Sequence, residues 1–308
     1  MLKFFLKSFV FAFILFLMLY LIEAGLYAIP NSYSLKRDCV EKNISDLNLL
    51  IFGSSQAYYD FDPVDFSPYS CNLANSNQDL YYDGKILDKY IGRAKNLRTV
   101  FITVSYFSLE FKLENTEEAW RKFFYYRFFG IKDQNFTPFD IRDYSLIALY
   151  TPQNSLSYIL KGFNVNLAEG STNMGWREVD EGDSSLESDS GKNSAIRQTG
   201  YMKEDLLPLN LSILDHMIQE LVKRDIRVVL ITPPTTRSYY ENIDSKKYEV
   251  MQKNISDIVK KYSLTYLNYF KSEKFQNFDF VDNSDHLNTS GAIKFANIIK
   301  NDLSSIIK

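Results

Sequence analysis

Two polar segments at opposite ends of the chain carry the residue types that acyl chemistry needs. Gly53-Ser54-Ser55-Gln56 directly follows the apolar run Leu49-Leu50-Ile51-Phe52. Near the C-terminus, His286 follows two carboxylates, Asp282 four residues before it and Asp285 directly before it. A serine hydroxyl becomes a nucleophile when a neutral imidazole takes its proton, and a carboxylate on the other ring nitrogen fixes the tautomer. The pair predicts Ser55 as nucleophile and His286 as general base.

Each segment taken alone has an ordinary structural interpretation. A Gly-Ser-Ser turn is usually structural, and a lone histidine in a loop is usually a surface residue. The combination of the two at the ends of one domain favours chemistry. The second histidine, His216, falls in the middle of an apolar-periodic segment, and we interpret it as structural.

The elements around these segments alternate between short apolar runs and longer helical patterns. We predict strands at residues 49–52, 69–73, 99–104, 227–232 and 263–267, and helices at 78–94, 206–224, 246–262 and 289–307. Thr289 or Ser290 is the expected cap of the last helix. This alternation predicts a three-layer α/β/α sandwich with a parallel sheet. Ser55 then stands at the carboxyl end of a strand, where ligands bind in such sheets.

The alternation breaks between residues 107 and 200, which we interpret as a large insertion. Residues 120–129 read WRKFFYYRFF, and residues 165–195 are acidic and rich in Ser, Gly and Asn around Trp176-Arg177. We expect a partly helical segment with a mobile loop near the carboxyl edge of the sheet, shaping access for a substrate. A solvated loop without a role is the alternative. The aromatic run suits either stacking on sugar rings or a core.

Residues 8–29 form an apolar segment with Glu23 as its only charge, preceded by Lys3 and Lys7. Twenty-two residues at ~1.5 Å each give ~33 Å, enough to cross a bilayer core of ~30 Å. The two lysines place the N-terminus in the cytoplasm, so residues 1–30 are predicted as a single-pass anchor and residues 31–308 as an extracytoplasmic domain behind a polar linker at 31–48. A cleaved signal peptide and a buried core helix are the alternatives.

Composition excludes several other classes of protein. The net charge is −3 and no basic stripe occurs, which argues against a nucleic-acid partner. Two histidines and two cysteines without a CxxC spacing argue against a zinc site, and we expect no metal or cofactor. Cys39 and Cys71 are either a disulfide closing a loop of about 33 residues or two unpaired buried thiols.

The blocks GSSQ after the first strand and DNSDHLNTSGA before the last helix resemble the SGNH (GDSL-type) hydrolase superfamily. The similarity is nearest to its membrane-anchored branch, typified by the D-alanylation protein that works with a membrane-bound O-acyltransferase. NLANSNQ at 72–78, with LYYD shortly after, resembles that branch's second block. The similarity covers residues 47–106 and 205–306. It implies Ser55 as nucleophile, His286 as base, and an oxyanion site formed by Ser55 and Asn77.

The resemblance also implies a function, as an expectation. The chain would be a cell-surface serine acyltransferase or esterase that acts on O-acyl groups of a surface polysaccharide. Its expected partners are the polysaccharide or acyl donor, and a multi-pass membrane-bound O-acyltransferase.

Two departures from the family pattern affect these expectations. The family's acid normally stands three residues before the histidine, where this chain has Asn283. We favour Asp282, since a one-residue bulge restores its reach, over Asp285, which needs a tighter turn. The family's third-block asparagine has no counterpart in Ser105-Tyr106-Phe107-Ser108. This favours a transferase, or a catalytically degenerate subunit that binds or assembles the polysaccharide, over a fast esterase.

Overall fold

A computed structural model of the chain describes residues 1–168, 170–179, 189–281 and 285–306. Within these residues, five parallel strands form one sheet in the order β2-β1-β3-β4-β5. The strands are β1 (Leu49–Phe52), β2 (Ser70–Asn72), β3 (Thr99–Thr103), β4 (Arg227–Thr232) and β5 (Thr265–Asn268). All five overlap the predicted strands, and the three central ones are apolar runs, which suit strands that are buried on both faces.

The helices include the four that periodicity predicted and several shorter ones. In chain order they are α1 (Leu2–Ala28), α2 (Ser32–Asn43), α3 (Ser55–Asp60), α4 (Leu80–Tyr90), α5 (Lys122–Phe124) with a π-helical turn at Tyr125–Phe129, α6 (Leu146–Leu149), α7 (Pro152–Leu160), α8 (Asp189–Tyr201), α9 (Leu207–Val222), α10 (Arg237–Tyr240), α11 (Ser245–Tyr262) and α12 (Thr289–Ile306). Turns of 3₁₀ helix lie at Pro63–Asp65, Ser108–Glu110, Leu113–Asn115, Ala119–Arg121, Ile141–Asp143, Glu204–Leu206 and Asn277–Asp279.

The sheet is covered on both faces, which confirms the three-layer α/β/α sandwich. Leu50 and Leu230 point to the face covered by α4, α9 and α11. Ile51 and Val229 point to the opposite face, where α3 and α12 pack. Successive residues of a strand alternate between faces, so a continuous apolar run supplies both cores.

The strand order creates a crevice beside Ser55. The chain goes from β1 to β2 on one side and later returns to β3 on the other side of β1. Ligands of open α/β sheets bind at such a switch point, outside the carboxyl ends of the strands.

Two local expectations are wrong. Residues 31–48 are not an extended linker: Asn31 and Ser34 form a reciprocal capping box that begins α2. The cap of α12 is not Thr289 or Ser290 but Asn288, whose Oδ1 accepts the Gly291 N–H at 2.9 Å. Asparagine is as good a cap as serine, and sequence patterns leave a helix boundary uncertain by a residue or two.

The two cysteines form a disulfide, with Cα atoms 6.1 Å apart. Cys39 lies on α2 and Cys71 on β2. The bridge therefore ties the helix that follows α1 to the edge strand of the sheet.

The insertion is folded where the structure describes it, and its aromatic run is core. Phe123, Phe124, Tyr125, Phe128 and Phe129 are all buried. Tyr125 stacks on Tyr82 of α4, with ring centroids 3.9 Å apart. These rings are therefore not available for stacking on a sugar. The predicted mobile loop falls partly on residues 169 and 180–188, which lie outside the described residues.

Candidate active site

The loop after β1 places two serines in different surroundings. Gly53 has φ +141°, and a Cβ there would lie 1.8 Å from Thr103 Oγ1 on the neighbouring strand β3, so this position requires glycine. The buried Ser54 precedes α3, and its Oγ lies 3.1 Å from Ser105 Oγ. Ser55 begins α3 and lines a cavity of about 490 Å³. The predicted nucleophile is thus the serine that reaches open space.

Asp83, a buried carboxylate of α4, binds the backbone of this loop. The Gly53 N–H donates to Asp83 Oδ1 at 3.2 Å, and Gln78 Nε2 donates to the same oxygen. Burial raises the pKa of the Asp83 carboxyl to about 7, although the Gln78 hydrogen bond opposes the shift. Asp83 therefore ties the second sequence block to the serine turn.

His286 lines the same cavity as Ser55. Its imidazole is buried and stacks on the Tyr59 ring, with centroids 4.3 Å apart and planes 8° from parallel. Because Tyr59 lies one turn after Ser55 on α3, a single short helix carries the serine and the ring on which the imidazole rests.

The same helix holds the backbone on both sides of His286. Gln56 Nε2 donates to the carbonyl oxygen of Asp285 at 3.1 Å, and the Leu287 N–H donates to Asp60 Oδ1 at 2.7 Å. Asp60 is fully buried, and burial raises the pKa of its carboxyl well above the ordinary value. The Leu287 hydrogen bond opposes this shift, and nearby Asp285 reinforces it.

The electrostatics keep His286 in the form that a general base needs. Burial lowers the pKa of the imidazole below its ordinary value, against the charge of Asp285, which raises it. Arg177 and Arg197 add to the lowering. The ring is therefore neutral near pH 7 and can accept a proton.

One of the two candidate acids can be located. Asp285 is fully buried, and its Oδ2 accepts a hydrogen bond from Gln198 Nε2 of α8. Tyr239 Oη donates in turn to Gln198 Oε1. Asp282 and Asn283 lie outside the described residues, so the choice between Asp282 and Asp285 stays a prediction.

Asn77 also lines the cavity. Its backbone is left-handed at φ +55°, which asparagine adopts more easily than most residues. Its Nδ2 donates to Glu118 Oε2 at 3.2 Å. The predicted oxyanion donor thus stands beside the site with its amide directed at a carboxylate of the insertion.

The insertion forms most of the remaining cavity wall, as expected for a segment that shapes access. It contributes two phenylalanine rings, two carboxylates, three guanidinium groups and two uncharged polar side chains: Phe107, Phe111, Thr116, Glu117, Glu118, Arg121, Arg177, Arg197 and Gln198. Tyr201, at the end of α8 and just beyond the insertion, also lines the cavity. Ser76, from the second sequence block, completes the lining.

Sequence reasoning missed four residues that touch the His286 loop. Gln56, Tyr59 and Asp60 follow Ser55 at helical spacing, and a helix predicted there would have placed Gln56 and Asp60 on one face. Gln198 carried no such signal, because only the fold brings α8 to this loop. His216 is remote from the site: it lies on the surface, with Nε2 3.1 Å from Asp88 Oδ1.

No family profile matches the chain, and no curated protein sequence matches it. Three solved structures are similar to it. A GDSL-like lipase of Bacteroides thetaiotaomicron is 11% identical, with 90% of this chain and 100% of that chain covered and a TM-score of 0.43. A proposed acylhydrolase of Bacteroides fragilis is 10% identical, with 87% and 95% covered and a TM-score of 0.41.

The third is a protein of Streptococcus pneumonia, proposed to be a platelet activating factor. It is 11% identical, with 96% of this chain and 98% of that chain covered and a TM-score of 0.45. The first of the three carries the name of the superfamily that the sequence blocks resemble. At these identities and TM-scores the similarity assigns neither an activity nor site residues to this chain.

Proposed function

We propose that the chain is a serine hydrolase or acyltransferase, with Ser55 as nucleophile and His286 as its base. The observation that supports this is one cavity lined by both residues, which come from opposite ends of the domain. The imidazole there is buried, stacked and held in its neutral form by its surroundings. A serine and a neutral histidine in one cleft are the parts that nucleophilic acyl transfer needs.

In the proposed reaction, Ser55 Oγ attacks the carbonyl carbon of an O-acyl ester while its proton passes to His286. The Ser55 N–H and Asn77 would stabilise the oxyanion. His286 then gives the proton to the departing alcohol oxygen, which leaves an acyl ester on Ser55. Water, or a sugar hydroxyl in the transferase, attacks that ester as its proton passes to His286. The bond between the acyl carbon and Ser55 Oγ then breaks, and His286 returns the proton to Ser55 Oγ, which releases the free acid or the new ester. Asp282 or Asp285 would orient the ring throughout.

The proposed setting is the outer face of a membrane, with the acyl group passing to or from a hydroxyl of a surface polysaccharide. The long apolar helix α1 near the N-terminus supports membrane attachment by its length and composition. The resemblance to the anchored SGNH branch supports a multi-pass O-acyltransferase as the partner that supplies acyl groups. No metal or cofactor takes part in this chemistry.

One observation favours a second candidate, a non-catalytic subunit that binds or assembles a polysaccharide. Glu118 accepts from the Asn77 amide inside the cavity, and a carboxylate there opposes an oxyanion. The aromatic and charged lining of the cavity would suit a bound sugar chain without any acyl transfer.

A serine-directed fluorophosphonate separates the two candidates. We expect the full chain in detergent to be labelled on the tryptic peptide that contains Ser55. Labelling should be lost in Ser55→Ala, because Ser55 is the proposed nucleophile of this cavity, and acyl turnover should fall by orders of magnitude. Ser54→Ala is the matched control and should still be labelled, since Ser54 contacts Ser105 instead of the cavity.

Two results would contradict the nucleophile assignment: unchanged labelling of Ser55→Ala, or loss of labelling in Ser54→Ala alone. Absence of labelling in a correctly folded wild-type chain would favour the binding subunit.

A further inference from the structure

The last two turns of α1 belong to the folded domain. Glu23 accepts hydrogen bonds from Arg127 Nη2 at 2.7 Å and from the Leu146 N–H at 2.8 Å. Leu26 and Ile29 are fully buried in one cluster with Leu146. We call the insertion residues Arg127, Ser145, Leu146 and Phe163 around these turns the anchor socket.

The fit between helix and socket is close. A Cβ on Gly25 would lie 2.5 Å from the Phe163 ring, so the ring would have to shift to admit any other residue at this position. Ser145 Oγ also donates to Glu23 Oε2, at 3.1 Å. The one acidic residue of the apolar segment is therefore satisfied by protein groups and need not face lipid.

The contacts of the anchor socket determine which part of α1 stays exposed and could lie in a membrane. Residues 2–21 are exposed except for the half-buried Ala12. These twenty residues at ~1.5 Å each span ~30 Å, the thickness of a bilayer hydrocarbon core. Lys3 and Lys7 lie in the first two turns, where long side chains can extend their ammonium groups to the cytoplasmic headgroups. A bilayer around them would end at Glu23, where the insertion begins to contact the helix. The folded domain contacts α1 from Glu23 onward, so no flexible linker separates the domain from the membrane boundary.

The insertion also exposes large apolar side chains next to this helix. Phe139, Ile141, Leu156 and Leu160 are 94%, 67%, 56% and 77% exposed; we call these four the apolar surface. Leu156 and Leu160 lie four residues apart, on one side of α7. Tyr158 of the same helix packs in the cluster that contains Leu26 and Ile29, so the helix that presents these leucines also contacts α1.

The charged residues directly beside Phe139 and Ile141 pair with each other. Asp140, between these two exposed residues, accepts from Arg142 at 2.7 Å. Concentrated apolar exposure of this kind is unusual on a soluble domain and marks a contact with a protein or a membrane. Helix α7 contacts α1, and the turn at Ile141–Asp143 contacts α6, which also contacts α1. This proximity to an apolar helix of bilayer length favours the membrane.

We propose that the apolar surface contacts the lipid bilayer around α1, and that α1 is retained instead of being cleaved. The insertion would then have two roles: it binds the end of α1, and it lines the cavity of Ser55 and His286. Cleavage after Ala28 would remove Leu26 from its cluster and leave Arg127 without Glu23. The cavity would thus stand at a fixed height above the bilayer, suited to substrates that are held at its surface.

Spin-label accessibility in the full chain, reconstituted in phospholipid nanodiscs, tests this. Nitroxides are placed singly at Phe139→Cys and Leu160→Cys, with Leu15→Cys as the lipid reference and Val250→Cys of α11 as the water control. Oxygen partitions into lipid and a nickel chelate into water. We expect collisions with oxygen to exceed those with nickel at positions 15, 139 and 160, and the ratio to be reversed at 250.

All four positions are exposed, so the labelled variants should fold, and equal midpoints of thermal unfolding verify this. A nickel-dominated signal at either 139 or 160 would overturn the membrane contact. Mass spectrometry of the protein purified from membranes gives the second arm. A chain that still contains residues 2–28 supports retention, and a product beginning after Ala28 overturns it.

Discussion

Two regions hold the loop that carries His286, and they contact different atoms of it. Helix α3 contacts the backbone and the ring: Gln56 binds the Asp285 carbonyl oxygen, Asp60 binds the Leu287 N–H, and Tyr59 stacks on the imidazole. The insertion contacts a side chain of the loop: Gln198 of α8 donates a hydrogen bond to the Asp285 carboxylate.

This difference separates two tasks. A backbone that is fixed by hydrogen bonds from the nucleophile's own helix sets where the imidazole lies relative to Ser55. Burial lowers the pKa of His286 most, and Arg177 and Arg197 of the insertion add to that lowering. The geometry of the site therefore depends on residues close to Ser55 in sequence, and part of its electrostatics depends on residues far from it.

The largest effect is expected from the residue that both regions position. His286→Gln should reduce acyl turnover by roughly a thousandfold or more, because the proposed mechanism gives the Ser55 proton to this residue. In the wild type, activity should fall on the acid side only below about pH 6.5, since the lowered pKa keeps the ring neutral to lower pH. Hydrolysis of a synthetic acetyl ester measures both.

His216→Gln is the matched control, because it changes the other histidine, which lies on the surface beside Asp88. It should leave turnover unchanged. Equal losses in the two variants would contradict the assignment of the base.

The next effect concerns the two carboxylates. Asp282→Asn should lower turnover by about a thousandfold, as loss of the orienting acid does in comparable triads. Asp285→Asn should lower it less, because one oxygen of Asp285 is already bound to Gln198 of the insertion. If Asp285→Asn causes the larger loss on the same ester, then Asp285 is the orienting acid, and the insertion binds that acid through Gln198. Near-normal turnover in both would mean that a Ser-His dyad suffices.

The smallest expected effect concerns the hydrogen bond between Asp60 of α3 and the His286 loop. Asp60→Ala leaves the buried Leu287 N–H without its acceptor and should lower the free energy of unfolding by about 1–3 kcal/mol. Asp60→Asn keeps an acceptor oxygen and should be at least as stable as the wild type at neutral pH. Denaturant unfolding of the three proteins is the measurement.

The pH dependence of these stabilities gives a sharper check on Asp60. Its carboxyl has a raised pKa in the folded state, so the folded chain holds a proton that the unfolded chain releases near pH 4. Its contribution is therefore present at acid pH and declines as the pH rises from about 4 through the raised pKa. The wild type should lose stability relative to Asp60→Asn over that range. A constant difference would mean that Asp60 is already ionised in the fold.

Local patterns in the sequence determined much of this protein. The apolar runs predicted β1, β3 and β4, because a strand buried on both faces needs unbroken apolar residues. The two edge strands, β2 and β5, were predicted at nearly their observed bounds from less apolar segments. The serine turn and the histidine loop were recognisable from residue type and position, and both line the same cavity. The apolar N-terminal helix was predicted from its length and composition alone. Each of these signals lies within a short stretch of chain.

Only the tertiary structure decided which distant groups meet. No local pattern indicated that Gln198 reaches Asp285, that Glu23 binds Arg127, or that five rings of the run 120–129 are buried. The sequence also did not identify the cap of α12. Thr289 or Ser290 was predicted and Asn288 is observed, since all three side chains can cap a helix. Periodicity reports which side of an element is apolar, but the partner of that side depends on the packing of segments that lie far apart in the chain.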